Sequence, residues 1–187
     1  MKNVFFTILF FIINLISSTA QVADRVEDIS PLLISEKVPS VQVTSMNGES
    51  ESLADIVAQQ RTVIIIYRGG WCPYCNLHLS AVGQVEKEII ELGYQVIAIS
   101  PDSPEDLKVT MEEDKLNYAL YSDSDAVLIK AMGLAFIDED SDLNPVPALF
   151  IVETDGTIVF EYISLKYQQR ISANLLLDVL KHYEEKN

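Results

Sequence analysis

The chain has 187 residues, of which 49% are hydrophobic and 22% are charged, a composition typical of one globular domain rather than a disordered chain. Its 28 acidic residues outnumber its 13 Lys and Arg residues, and a net charge of −15 argues against binding to nucleic acid, whose phosphates would be repelled. Two cysteines are too few for a scaffold held together by disulfides.

Residues 1–20 have the order of a secretory signal peptide. Lys2 gives a positive start, an apolar run from Val4 to Ile16 follows, and Ser18 and Ala20 are the small residues that a signal peptidase reads. The alternative is an uncleaved N-terminal anchor, although a transmembrane helix needs about 20 apolar residues. We therefore expect a secreted protein, with the periplasm as its compartment and no stable membrane insertion once the signal is removed.

After the signal peptide we expect an acidic lead-in, residues 21–37, and one domain, residues 38–187. The periodicity of apolar residues in that domain changes between the strand and the helix pattern. In chain order it predicts a strand at 41–44, a helix at 53–58, a strand at 62–67, a helix at 73–92, a strand at 94–99, a helix at 103–114, a strand at 117–121, a helix at 126–132, strands at 148–153 and 157–163, and a final helix capped by Ser172. The core positions expected in that final helix are Leu175, Leu176, Val179, Leu180 and Tyr183.

The order of these elements predicts an α/β fold. A buried strand, a long helix and a second buried strand form a parallel crossover. Asp155-Gly156 between two later strands is a strong signal for an antiparallel hairpin. The expected architecture is a central mixed β-sheet with helices on both faces.

The sequence Trp71-Cys72-Pro73-Tyr74-Cys75 places both cysteines between a predicted strand and a predicted helix. Pro73 suits the first helical turn, so Cys72 is expected at or next to the helix cap. Unpaired amides there favour the thiolate, which is the reactive form. Cys75 lies one turn later, on the apolar face, and is expected to be more buried and to resolve a mixed disulfide. The pair predicts dithiol–disulfide redox chemistry.

Two other roles for the cysteine pair stay open. A structural disulfide is common in secreted proteins, although closing so short a loop removes little chain entropy. A metal site could add His78, otherwise expected at the surface of the helix, but only the distant His182 remains as a fourth ligand. Arg68-Gly69-Gly70 lacks the spacing of a dinucleotide or phosphate loop, so we expect no cofactor.

The decapeptide from Tyr67 to Asn76 resembles the peroxiredoxin-like branch of the alkyl hydroperoxide reductase/thiol-specific antioxidant (AhpC/TSA) family, in the thioredoxin-like superfamily. Further matching segments are Ile99-Ser100-Pro101, Pro145–Val152, Asp155-Gly156 and Tyr167–Arg170. The resemblance covers roughly residues 38–182. It implies a thioredoxin-like fold and the thiol-dependent reduction of peroxides, which is an antioxidant activity.

The sequence departs from the usual peroxide site of that family. Typical members carry Pro-x-x-x-Thr-x-x-Cys, and aligning this cysteine with Cys75 puts Arg68 at the Pro and Cys72 at the Thr. A further family Arg would fall near Pro147, and Arg68 and Arg170 are the nearby replacements. The likeness to thioredoxins implies instead a cis proline at Pro147 that faces the cysteines. The helix argument and this likeness favour Cys72 as the attacking thiol, whereas the peroxiredoxin alignment favours Cys75.

Residues and resemblance together predict a secreted thiol redox enzyme, most favoured as a peroxiredoxin-like thiol peroxidase. The alternatives are a thioredoxin-like oxidoreductase acting on protein disulfides and a non-enzymatic module with a structural disulfide or a metal. Either enzyme needs an external dithiol donor, expected to be thioredoxin-like. The expected catalytic pair and its supporting residues are Cys72, Cys75, Trp71, Pro73, Arg68 and Pro147.

Overall fold

The computed structural model describes residues 22–186, so the predicted signal peptide, residues 1–20, lies outside the described residues. The strands are β1 (Gln42–Ser45), β2 (Ser50–Ser52), β3 (Arg61–Ile66), β4 (Tyr94–Ser100), β5 (Ala119–Ser122), β6 (Ala135–Ile137), β7 (Leu143–Pro145), β8 (Ala148–Val152) and β9 (Ile158–Ile163). The helices are α1 (Leu53–Gln59), α2 (Pro73–Gly83), α3 (Glu86–Glu91), α4 (Pro104–Glu113), α5 (Val127–Ala131) and α6 (Ala173–Glu184). The lead-in contains a short 3-10 turn at Val26–Asp28.

Seven of these strands form one mixed sheet in the order β2-β1-β5-β4-β3-β8-β9. β3, β4 and β5 are parallel neighbours, whereas β8 and β9 form an antiparallel hairpin beside β3. The predicted mixed sheet and its later hairpin are therefore confirmed, but the parallel part does not come first, because β1 and β2 form an antiparallel hairpin before β3. The hairpin turn contains Gly156 at a φ of 85°, a conformation that glycine adopts readily.

Both faces of the sheet are covered, as the continuous apolar run in β3 predicts. Ile64 and Ile66 of β3 pack into one core cluster together with the buried residues of α1 and α5. Val63 and Ile65 pack into the other cluster, which takes buried residues from α2, α3, α4 and α6. The two cysteines belong to this second cluster, so the candidate site lies between the sheet and α2.

Two predictions about the helices are wrong. The helix predicted at 73–92 is interrupted: α2 ends at Gly83, and Val85 leaves the helical conformation with φ −111° and ψ 6° before α3 begins. Glycine weakens a helix interior by about 1 kcal/mol relative to alanine, which explains the position of the break. In α6, Leu175 is 51% exposed and Leu177 is buried instead. Three consecutive leucines make the apolar stripe ambiguous, so the periodicity did not determine which of them faces the sheet.

Three short strands were missed by the sequence reasoning. β2 is polar and lacks the alternation that identifies strands, although it pairs with β1 as a hairpin. β6 and β7 have three residues each and form a separate two-stranded sheet around the acidic loop 138–142. Within residues 22–186, no helix has the length and apolarity that crossing a membrane requires.

Leu79 anchors α2 on the sheet and gives a test of this packing. Leu79 is 0% exposed, whereas Leu77, two residues earlier on the same helix, is 69% exposed. We expect Leu79→Ala to lower the free energy of unfolding by about 2–5 kcal/mol, because it leaves a cavity in the core. Leu77→Ala, the matched control, should change it by less than about 0.5 kcal/mol. Urea unfolding followed by circular dichroism measures both, and equal effects would contradict the orientation of α2.

Candidate active site

Cys72 is the N-cap residue of α2 and Pro73 is its first helical residue, as the sequence predicts. The Cys72 backbone N–H donates to the Gly69 carbonyl at 3.1 Å, which closes the turn between β3 and α2. The Cys72 carbonyl accepts from the Asn76 N–H at 3.1 Å, the first hydrogen bond of the helix. Proline fits here because the first amides of a helix have no intrahelical partner. The motif therefore holds both sulfurs at the start of a helix.

The two thiols share one proton unequally. Both cysteines are free. Cys72 is 2% exposed and Cys75 is 1% exposed, a difference too small to distinguish their roles. A hydrogen bond from the Cys75 thiol is the main cause that lowers the pKa of Cys72 to about 6, against the effect of burial. The same hydrogen bond, followed by burial, raises the pKa of Cys75. Cys72 therefore carries the negative charge and Cys75 the proton.

Two arginines approach this pair from different parts of the chain. A terminal nitrogen of Arg170 donates to Cys75 Sγ at 3.1 Å, and the other donates to the carbonyls of Tyr167 and Gln169 at 2.6 and 2.7 Å. The positive charges of Arg170 and Arg68 both lower the pKa of Cys72. Arg170 lies in the segment before α6 and comes to the dithiol only through the tertiary fold. Cationic groups beside a sulfur favour its thiolate. Arg170 therefore lowers the pKa of Cys75 as well, but the hydrogen bond to Cys72 and burial outweigh this effect.

Arg68 is held between two aromatic rings at the rim of the site. Its guanidinium carbon lies 4.6 Å from the ring centre of Trp71 and 5.3 Å from that of Tyr167. Tyr167 in turn packs edge to face with Tyr74, with 5.7 Å between ring centroids. Cation–π contacts of this kind fix the position of a guanidinium without neutralising its charge. The sequence-predicted residues Arg68 and Trp71 are thus in contact with each other next to the cysteines.

Asp102 fixes the loop between β3 and α2, and the sequence reasoning missed it. Its carboxylate accepts from the Gly70 N–H and from the Ser100 hydroxyl, each at 2.9 Å. A side chain at Gly70 would meet Thr110 Oγ1 at 2.1 Å, so the loop needs glycine at this point. Burial raises the pKa of Asp102, while its two hydrogen bonds oppose this change. The position of Asp102 just after β4 could have predicted this contact, because neighbouring parallel strands end at the same edge of the sheet.

His78 is buried rather than exposed, which corrects the prediction of a surface position. It is 7% exposed, and burial followed by the charge of Arg170 lowers the pKa of its ring to about 4. His78 is therefore neutral at neutral pH, and its Nε2 has no hydrogen-bond partner. Among residues 22–186, no group of three or more His, Cys, Asp or Glu side chains is arranged to hold a metal ion. The sequence reasoning took His78 for a surface residue because it considered α2 without α6 and the segment before it.

Pro147 adjoins the site, but the predicted cis peptide bond is wrong: no bond among residues 22–186 is cis. The Val146 N–H donates to the Leu134 carbonyl at 2.8 Å, and the Ser164 N–H donates to the Pro147 carbonyl at 3.0 Å. These bonds hold an extended backbone into β8, and an X–Pro bond prefers the trans form by about 0.5–1 kcal/mol. Pro147 lines a groove of about 360 Å³ together with Arg68 and Tyr167.

Comparisons with known proteins agree with this geometry. The model of the AhpC/TSA family matches residues 34–161, well over half of the chain. Peroxiredoxin Bcp of Escherichia coli K12 is 24% identical over 159 residues, which cover 82% of this chain and 99% of that protein. The chain is thus similar to a peroxiredoxin along nearly the whole length of that relative.

Solved structures share the fold at lower identity. Peroxidoxin BcpB from Mycobacterium tuberculosis superposes with a TM-score of 0.70 at 18% identity, covering 82% of this chain and 96% of that one. Reduced Prx3 from Vibrio vulnificus in complex with H2O2 gives a TM-score of 0.75 at 17% identity, covering 81% of this chain and 98% of that one. The family model and the shared thioredoxin-like fold lead to one conclusion: the chain belongs to the AhpC/TSA family, as a peroxiredoxin-like oxidoreductase.

Proposed function

We propose that this protein reduces peroxides with Cys72 as the attacking thiolate and Cys75 as the resolving thiol. The observation that carries the proposal is the position of Cys72 at the N-cap of α2, one turn before Cys75, where the pKa of Cys72 is lowered to about 6. At neutral pH Cys72 is then mainly in the thiolate form. The peroxiredoxin alignment assigned the attack to Cys75, but the proton on that sulfur makes it the poorer nucleophile.

In the proposed reaction, these two sulfurs supply both electrons that the peroxide gains. The Cys72 thiolate attacks one oxygen of the peroxide, the O–O bond breaks, and Cys72 becomes a sulfenic acid. The second oxygen leaves as an alkoxide or hydroxide and takes a proton from solvent. The Cys75 thiol then condenses with the sulfenic acid, forming the Cys72–Cys75 disulfide and releasing water. The peroxide gains two electrons, and the two sulfurs together lose two.

Arg68 and Arg170 supply the positive charge in this proposal. The alignment puts Arg68 and Cys72 where typical family members have Pro and Thr, and Pro147 near the position of the family Arg. Arg170 reaches the sulfur pair from the segment before α6, and Arg68 reaches it from the end of β3. Fixed positive charges next to a breaking O–O bond stabilise the negative charge on the departing oxygen.

A thiol–disulfide oxidoreductase acting on protein disulfides is the second candidate. It is favoured by the position of Cys72 at the N-cap of α2 with a lowered pKa, which also suits attack on a disulfide. The trans Val146–Pro147 bond is a departure from the thioredoxin arrangement and weakens this candidate. In both cases an external dithiol protein restores Cys72 and Cys75, since the reaction ends in a disulfide.

We further propose that the chain is exported, on the pattern of residues 1–20 alone. In an oxidising compartment the Cys72–Cys75 disulfide would persist until a dedicated donor reduces it. This proposal is independent of the peroxide chemistry.

Single cysteine variants test the order of attack. With limiting hydrogen peroxide, we expect Cys72→Ser to react no faster than an unactivated thiol, because burial still raises the pKa of Cys75 once the hydrogen bond to Cys72 is gone. Cys75→Ser should still reduce one equivalent of peroxide and stop at the sulfenic acid, which mass spectrometry detects. The same variants are offered an oxidised protein substrate in parallel. Peroxide reactivity that survives only in Cys72→Ser would reverse the assignment, and peroxide inertness with fast disulfide exchange would favour the second candidate.

The pH profile tests the cause of the lowered pKa. The rate of peroxide consumption should rise as pH increases through about 6 and then level off, because the thiolate of Cys72 forms over that range. Arg170→Gln removes a positive charge, so the midpoint should move upward by about one pH unit. The plateau rate should also fall at least about tenfold. Arg25→Gln, which changes an exposed arginine in the lead-in, is the control. An unchanged midpoint in Arg170→Gln would contradict this account.

Export is tested by expressing the full chain in a Gram-negative bacterium and sequencing the N-terminus of the recovered protein. Cleavage after Ala20 predicts a mature chain that begins with Gln21 and appears in the periplasmic fraction. Replacing the small residues at the site, as in Ala20→Arg, should block processing. A full-length cytoplasmic product from the unaltered chain would refute the proposal.

A further inference from the structure

Exposed apolar side chains lie on the segments next to the buried dithiol. Trp71 is 60% exposed although it directly precedes Cys72. Tyr74 and Leu77 follow on α2, and Leu165 and Tyr167 face them from the segment before α6. Contacts from Arg68 to the rings of Trp71 and Tyr167, and from Tyr167 to Tyr74, join the three aromatic residues, and Leu165 lines the same groove as Arg68 and Tyr167. We call this set of five apolar residues the dithiol face.

Two acidic grooves flank Trp71 on one side of the dithiol face. One, of about 380 Å³, runs from Trp71 past Asp102 and Asp106 to Asp142. The other, of about 360 Å³, runs from Trp71 past the same two aspartates to Glu113. Arg68 is the one cationic residue among those that line the two grooves, and it is stacked on Trp71. The whole chain carries a charge of −15 as well.

The burial of the sulfurs determines which molecules must contact the dithiol face to reach them. Cys72 and Cys75 are almost fully buried. A protein thiol must therefore contact the surrounding surface to react with them, which a small peroxide does not need to do. Apolar residues scattered singly over a surface are ordinary, but a continuous group around a reactive centre marks an interaction site. Negative charge next to that group attracts partners with positive charge and repels acidic ones.

We propose that the dithiol face and its two acidic grooves dock a protein dithiol whose own reactive cysteines are flanked by lysine or arginine side chains. The inference rests on the proposed function, since it concerns the donor that restores the dithiol. One thiolate of the partner attacks a sulfur of the Cys72–Cys75 disulfide, the S–S bond breaks, and the displaced sulfur takes a proton. The second thiol of the partner then resolves the mixed disulfide. The partner loses two electrons and becomes a disulfide.

The test measures how fast two synthetic dithiol peptides reduce the oxidised chain. Both peptides carry the same Cys-x-x-Cys core, one flanked by lysines and the other by glutamates, and dithiothreitol serves as an uncharged reference. The chain is first oxidised with diamide rather than peroxide, so a protein that is inert to peroxide still gives a result. Reduction is followed by the fluorescence of Trp71, the single tryptophan of the chain, and by mass spectrometry of quenched samples.

We expect the lysine peptide to react at least about tenfold faster than the glutamate peptide at low ionic strength. The advantage should shrink as salt is added, because exposed charges are screened. The double variant Asp106→Asn/Glu113→Gln removes two groove charges and should remove most of the advantage, while the rate with dithiothreitol stays unchanged.

The matched control is Glu105→Gln/Glu112→Gln, which removes the same charge from α4 at exposed positions outside both grooves. It should keep nearly all of the preference for the lysine peptide. Equal rates with the two peptides would overturn the proposal. An equal loss of preference in both double variants would overturn it as well, because the effect would then come from net charge and not from the grooves.

Discussion

A single proton shared between two sulfurs is the interaction on which the candidate site depends. The Cys75 thiol donates to Cys72, so the charge lies on Cys72 and the proton on Cys75. This arrangement exists only because Pro73 starts α2 directly after Cys72 and so places Cys75 one turn away.

Two separate segments of the chain place positive charge next to this pair. Arg68 follows β3, and Arg170 precedes α6, more than ninety residues later in the chain. The backbone of the loop is held by Asp102 from the end of β4, and a side chain at Gly69 would meet Asp102 Oδ1 at 2.7 Å. The cysteine pair and the group that positions its loop thus both lie at the carboxyl ends of the central parallel strands.

The burial of the sulfurs separates the two kinds of molecule that must reach them. A peroxide is small enough to approach without covering the surrounding surface, and Pro147, Arg68 and Tyr167 line a groove at the rim of the site. A protein donor has to cover the aromatic surface around Trp71, where acidic side chains from α4 are also present. The oxidative and the reductive halves of the proposed cycle therefore place different demands on the same small area.

The sequence by itself determined the central strands, the mixed sheet and the position of Cys72 at the start of α2. These features follow from local patterns: β-branched runs, Pro73 after Cys72, and Asp155-Gly156 in a turn. Tertiary structure decided the rest. Residues distant in sequence determine four features of the structure. These are the burial of His78, the contact of Arg170 with Cys75, the burial of Leu177 instead of Leu175, and the trans bond at Pro147. A local pattern carries no information about which distant segment will pack against it, and that packing determines the charge at a buried sulfur.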